Sequence, residues 1–391
     1  MMDEPAATPP PPEAVERTSH PLQVHLLLFM LTCITTTLAV GLFSFDPALP
    51  WVEAFARMLG QGAMYAGTLM AILLAHEMGH YVLARRHGVP VSLPYFLPGP
   101  PFISFGTFGA FIRMPQRVGE ARALLDIGLA GPLAGLVVTI PFLALGLSLS
   151  PVEPLSSLRG GMFEGNSLLY LLLKWLILGP IPAGHDVNLH PIAFAGWMGL
   201  LVTSLNLFPV GQLDGGHIAF ALLGPKRGTH IARVVFGSLL VLAVAMAIIE
   251  QLFVWVIWAL LIALIGVRHP PLAPETKPLD RPRQVLGVLA LLLFALTFTP
   301  IPISATPSGG WEEVPDDTQV SGMRSADPPL VVAARAAAGR RVRCREHQQA
   351  REATVAAAVA DAWPGRAGGR ASPAPRGSLP GVWNTSATDP F

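Results

Sequence analysis

The chain of 391 residues is short of charge. Asp, Glu, Lys and Arg make up 13% of it and hydrophobic residues 52%, whereas an average soluble domain carries roughly 25% charged residues. Too little polar surface is available to cover a water-soluble body of this size, and the mean hydropathy of +0.52 agrees. An ordinary soluble enzyme and a wholly disordered chain are both excluded. Cysteine is scarce as well: Cys33 lies in an apolar run and Cys344 in a polar C-terminal stretch. A Cys-based zinc site is excluded by count, and a disulfide between the two is not expected. Nor is there an excess of one charge. Lys plus Arg number 26 and Asp plus Glu 25, a formal net charge of +1, so no basic surplus attracts a polyanion and no nucleic-acid partner is expected.

Long apolar runs are what the sequence does have. They cover 24–43, 60–82, 124–149, 190–208, 231–249, 252–267 and 285–303, the sixth being short for a span. The run 168–178 is too short to cross and is interrupted by Lys174, so it reads as an interfacial or packed helix. The expected fold is an all-α polytopic membrane protein with about six to seven transmembrane helices, in contact with the lipid bilayer. Residues 1–20, Pro-rich and acidic without a basic leader region, are expected to be a disordered tail rather than a signal peptide. Residues 21–305 form the membrane domain. Residues 306–391, rich in Ala, Arg, Pro and Gly without an apolar period, are expected to be a second disordered tail.

Orientation follows from the basic residues beside the runs. Arg85, Arg86, Arg113, Arg117 and Arg122 follow the second run, and Lys226, Arg227 and Arg233 follow the fourth. Arg268, Lys277, Arg281 and Arg283 precede the seventh. The segment 44–59 holds only Arg57, and 150–189 only Arg159 and Lys174. The basic segments are therefore assigned to the cytoplasmic side. Spans two and four then run the same way and end on that side.

The sequence His-Glu-Met-Gly-His occupies 76–80, inside the second run. On a helix His76 and His80 lie one turn apart on one face, a spacing that suits two imidazoles on one Zn²⁺. Glu77, beside the first of them, can act as general base toward water at the metal. Three ionisable groups within five positions of a membrane helix are expensive and point to function. A catalytic zinc site needs a third protein ligand. The C-terminal end of the fourth run reads Asn-Leu-Phe-Pro-Val-Gly-Gln-Leu-Asp-Gly-Gly-His over 206–217. Parallel spans bring Asp214 to the leaflet of His76 and His80, which makes it the expected third ligand, with His217 as competitor. Asn206 is an uncharged donor able to hold the scissile carbonyl or the oxyanion. Pro209 and the glycines break the helix, tolerable at membrane depth only where backbone lines a polar cavity.

These two motifs resemble the site-2 protease family of intramembrane zinc metalloproteases, whose pattern is HExxH with NxxPxxxxDG; both are filled completely. The resemblance covers roughly residues 20–305 and is to compact members, since no segment suits a PDZ or CBS domain. It implies one Zn²⁺ per chain held by His76, His80 and Asp214, with Glu77 as base and Asn206 as the polar group nearby. It also implies peptide-bond hydrolysis in or near transmembrane segments of membrane-protein substrates, at the cytoplasmic side of a bacterial inner membrane. The apolar, Gly-punctuated segment 105–112 resembles the family's membrane-associated β-hairpin or loop. Asp126 and the Gly-Pro-Leu-Ala-Gly of 131–135 read as structural, and His25 and His190 as interfacial. A membrane metal transporter or metal sensor could use the same His/Asp cluster but would not need Glu77.

Overall fold

The computed structural model describes residues 20–305, apart from 115–117, 158–161, 250–252 and 274–276. The expected tails, 1–20 but for His20 and 306–391, lie outside the described residues. The first apolar run is α1 (Leu22–Gly41), ending in a 3₁₀ turn, Leu42–Ser44. The second is α2 (Trp51–Arg86), which begins nine residues before the expected span. Pro50 sits immediately before its first turn, and Glu53 in that turn suits the positive end of the helix. A hairpin follows, β1 (Tyr95–Pro98) and β2 (Thr107–Phe111), joined through one helical turn and paired antiparallel with Tyr95 opposite Phe111. The third run is α3 (Ala121–Ser148), which contains Pro132 and Pro141.

The segment after α3 holds β3 (Val152–Pro154), β4 (Met162–Glu164), α4 (Leu168–Leu178) and β5 (His185–Val187). Then come α5 (Pro191–Asn206), α6 (Asp214–Ile249), α7 (Val254–Ile265), α8 (Arg281–Thr297) and β6 (Ile303–Ala305). β3 pairs with β5 and β4 with β6, both antiparallel. Three-residue strands of this kind leave too short an alternation to be seen in sequence.

The architecture is mostly helical, with few short strands. Among the described residues, four helical segments are long and apolar enough to cross a membrane: Leu22–Ser44, Trp51–Arg86, Ala121–Ser148 and Asp214–Ile249. The other expected spans fall on α5, α7 and α8, with 16, 12 and 17 residues. At 1.5 Å per residue the longest of these covers about 26 Å, under the roughly 30 Å hydrocarbon core. The expected fifth span is the distal part of α6. A break at Gly224, followed by Pro225, separates it from a first segment that begins at Asp214.

The main core lies where α2, α3, α4 and α5 meet and includes Tyr65, Leu69, Leu143, Tyr170, Trp197 and Leu200. The Trp197 indole N–H donates to the Gly165 carbonyl at 2.8 Å, tying α5 to the segment after β4. Lys174, the interruption in the run 168–178, is buried. Its ammonium lies 3.1 Å from Glu164 and 3.4 Å from Asp186, and the Tyr170 hydroxyl donates to the same Glu164 oxygen at 2.8 Å. A cation in an apolar helix is thus satisfied by carboxylates from the flanking strands, as a buried charge requires.

Candidate metal centre

α2 carries His76, Glu77 and His80, and all three are at least nine-tenths buried, with 3%, 5% and 7% exposure. One helical turn separates the imidazoles, and their Nε2 atoms stand 3.2 Å apart. The third group arrives from the opposite half of the chain. α5 ends at Asn206, and the chain turns back so tightly before α6 that a side chain at Gly215 would overlap the Leu207 carbonyl. Phe208 and Val210 are buried beneath that turn. Asp214 is the first residue of α6. Its Oδ2 reaches 3.3 Å from His76 Nε2 and 3.2 Å from His80 Nε2. The Asn206 amide Nδ2 is 3.1 Å from His76 Nε2.

The His80 Nδ1–H donates to the Ile127 carbonyl of α3 at 2.7 Å. A carbonyl only accepts, so this bond fixes the tautomer and leaves a lone pair on Nε2, as a metal-binding imidazole requires. Three acceptor-bearing atoms thus converge within 3.2–3.3 Å of one another. Such an arrangement repels itself unless a cation sits among them. A tetrahedral ion with ligand bonds of about 2.0–2.1 Å has edges of about 3.3–3.4 Å, so the spacing fits one zinc-sized cation. Among the described residues these three form the one His/Cys/Asp/Glu cluster so arranged. Glu77 lies beside it, likewise buried.

His217 is not part of the cluster. Its Nδ1 is 2.7 Å from His269 Nε2, and His269 Nδ1 donates to the Pro270 carbonyl at 2.6 Å. His269 also stacks on Phe220, and burial lowers its pKa below the ordinary imidazole value. His190 caps α5, accepting from the Ile192 N–H. His25, in the first turn of α1, is buried, donating through Nδ1 to the Pro94 carbonyl and packing on Tyr95. The sequence offers no hint of Ile127, which acts through its backbone. Nor did it reveal His269, which lies beyond both motifs.

Residues 64–249 match the sequence profile of Peptidase family M50. The matched span is a little under half of the chain. Similar proteins include the probable zinc metalloprotease EGY2, chloroplastic, of Oryza sativa subsp. indica, 31% identical over 256 residues. That match covers 64% of this chain and 45% of the relative. The proteins of the same description from Arabidopsis thaliana, EGY2 and EGY1, are each 30% identical, over 253 and 259 residues, and each match covers 64% of this chain and 44% of the relative. The chain therefore spans less than half the length of these curated relatives. Among solved structures, the site-2 protease from Methanocaldococcus jannaschii aligns with 18% identity and a TM-score of 0.33, over 64% of this chain and 93% of that one.

Proposed function

We propose that this chain is a zinc-dependent intramembrane endopeptidase that hydrolyses peptide bonds in or near transmembrane segments of membrane proteins. The observation that carries the proposal is the triangle of His76 Nε2, His80 Nε2 and Asp214 Oδ2 with a buried carboxylate, Glu77, beside it. His76, His80 and Asp214 would hold the zinc. Bound there, zinc lowers the pKa of a water toward about 7 and polarises the scissile carbonyl.

The remaining chemistry belongs to the chain. Glu77 takes a proton from the attacking water and returns it to the amine as the C–N bond breaks. The Asn206 amide is poised to donate to the oxygen on which negative charge develops. A substrate helix hides its amides, so it must unwind locally before attack, and helix-breaking residues in the substrate favour cleavage. The arginine-rich side is taken as cytoplasmic, and a bacterial inner membrane is our proposed setting, although the curated relatives are described as chloroplastic.

Glu77→Gln tests the proposal against a metal carrier. An endopeptidase loses cleavage of a single-span model substrate while keeping its zinc. A carrier would keep metal transport without the base and would never have cut the substrate.

A further inference from the structure

Outside the triangle, a half-buried charged node joins three helices. Arg283 grips Asp126 with two parallel bonds, Nε to Oδ1 at 2.8 Å and Nη2 to Oδ2 at 2.7 Å. His87 Nε2 lies 2.9 Å from the same Oδ2. The Asp126 side chain is 16% exposed. Arg283 is at the start of α8, where its backbone N–H and side chain also bond the capping residue Asp280. His87 caps the C-terminal end of α2. It follows His80 by seven residues, close to two helical turns, and so stands on the same face.

The position of Asp126 gives the node its meaning. The next residue is Ile127, whose carbonyl holds the His80 Nδ1–H. α2 and α3 are therefore pinned at two adjacent rungs, His80 to the Ile127 carbonyl and His87 to Asp126. The planar fork of Arg283 fixes both the height and the rotation of the first turn of α3, as a bidentate guanidinium can and a point charge cannot. We propose that Asp126, held by Arg283 and His87, is a positioning residue for the metal ligand His80. It keeps the Ile127 carbonyl where it sets the tautomer and orientation of that imidazole. Arg283 lies beyond the family-matched region 64–249, so α8 would contribute to metal retention without touching the metal. The inference rests on the proposed zinc centre.

The full chain, purified with zinc in detergent, can be challenged with a chromogenic chelator. Asp126→Asn and Arg283→Gln are expected to speed zinc loss about 10–100-fold, the usual effect of losing an outer partner of a metal histidine. The double variant should be no faster than Asp126→Asn alone, because both changes break one unit. Thermal unfolding with and without zinc separates positioning from a plain structural clamp. Positioning shrinks the stabilisation that zinc confers, whereas a clamp lowers both curves equally. Wild-type zinc retention in Asp126→Asn, or failure of both single variants to fold even without zinc, overturns the proposal. His80→Ala is the control for the underlying centre: if it keeps zinc as wild type does, the centre itself is wrong.

Discussion

Gly131 stands against the imidazole of His80 so closely that a Cβ there would fall 2.0 Å from Nε2, the atom offered to the cation. The Gly-Pro-Leu-Ala-Gly stretch of α3 is thus more than helix packing, because it leaves the space that a metal ligand occupies. A methyl group at 131 must push either His80 or α3 aside, and the Ile127 carbonyl lies one turn away on α3. Gly131→Ala is expected to weaken zinc binding by at least about tenfold, the low end of the cost of disturbing a ligand's surroundings. Zinc titration of the stripped protein measures it. Unaltered affinity would mean that the site tolerates a displaced imidazole.

Asn206 should behave differently from the three metal-cluster residues. Its amide reaches the cluster from the last turn of α5. As a donor to a developing oxyanion it would act mainly in the transition state. Asn206→Ala is therefore expected to cut kcat about 10²–10³-fold while zinc content stays at wild type. Steady-state kinetics with metal analysis on the same sample decide the point, and a loss of zinc in parallel with activity would move Asn206 into the metal-holding group.

Far from His80 along α3, beyond its C-terminal end, the segment holding Lys174, Glu164 and Asp186 should matter for stability alone. The Lys174 and Glu164 side chains are each 7% exposed. Removing one partner of a buried pair leaves the other uncompensated, at a cost of about 3–5 kcal/mol. Lys174→Met should lower the unfolding midpoint accordingly, and adding Glu164→Gln should recover much of the loss. Zinc affinity should stay unchanged in every surviving folded variant.

Acid sensitivity is expected at His269. Burial lowers its pKa below the ordinary imidazole value of about 6.5. As the pH falls below that value the unfolded chain takes up the proton first. The folded state then binds fewer protons, so stability rises with pH across this window and is lost on acidification. Denaturant midpoints at mildly acid and neutral pH should therefore differ in wild type, and His269→Gln should flatten the difference. An unchanged slope in the variant would assign the acid response to other groups.

Much of this was legible in the sequence because membrane burial makes charge rare and therefore conspicuous. The apolar runs led to the helices, and the histidine spacing led to one face of α2. Parallel spans, inferred from the placement of lysines and arginines alone, brought the ends of α2 and α5 together, as the contact between Asn206 and His76 requires. Illegible features were of two kinds. Some act through the backbone, such as the Ile127 carbonyl, and no side-chain type announces them. Others depend on partners far away in the chain, such as Arg283 for Asp126 and His269 for His217, and only the tertiary fold selects those. Helix lengths depart from the apolar runs where polar residues extend a helix beyond its apolar stretch, as at the start of α2, or where a break hides inside one, as at Gly224 in α6.

The triangle draws two corners from α2 and the third from the start of α6, with α3 and α5 threaded between them in the sequence. On the proposed reading, a nascent chain that has inserted only its first helices owns two imidazoles and a base but no complete cage for the ion. Hydrolytic competence would then switch on only after the later helices dock. The neighbouring proteins of the same bilayer would be spared indiscriminate cutting by an enzyme still under construction.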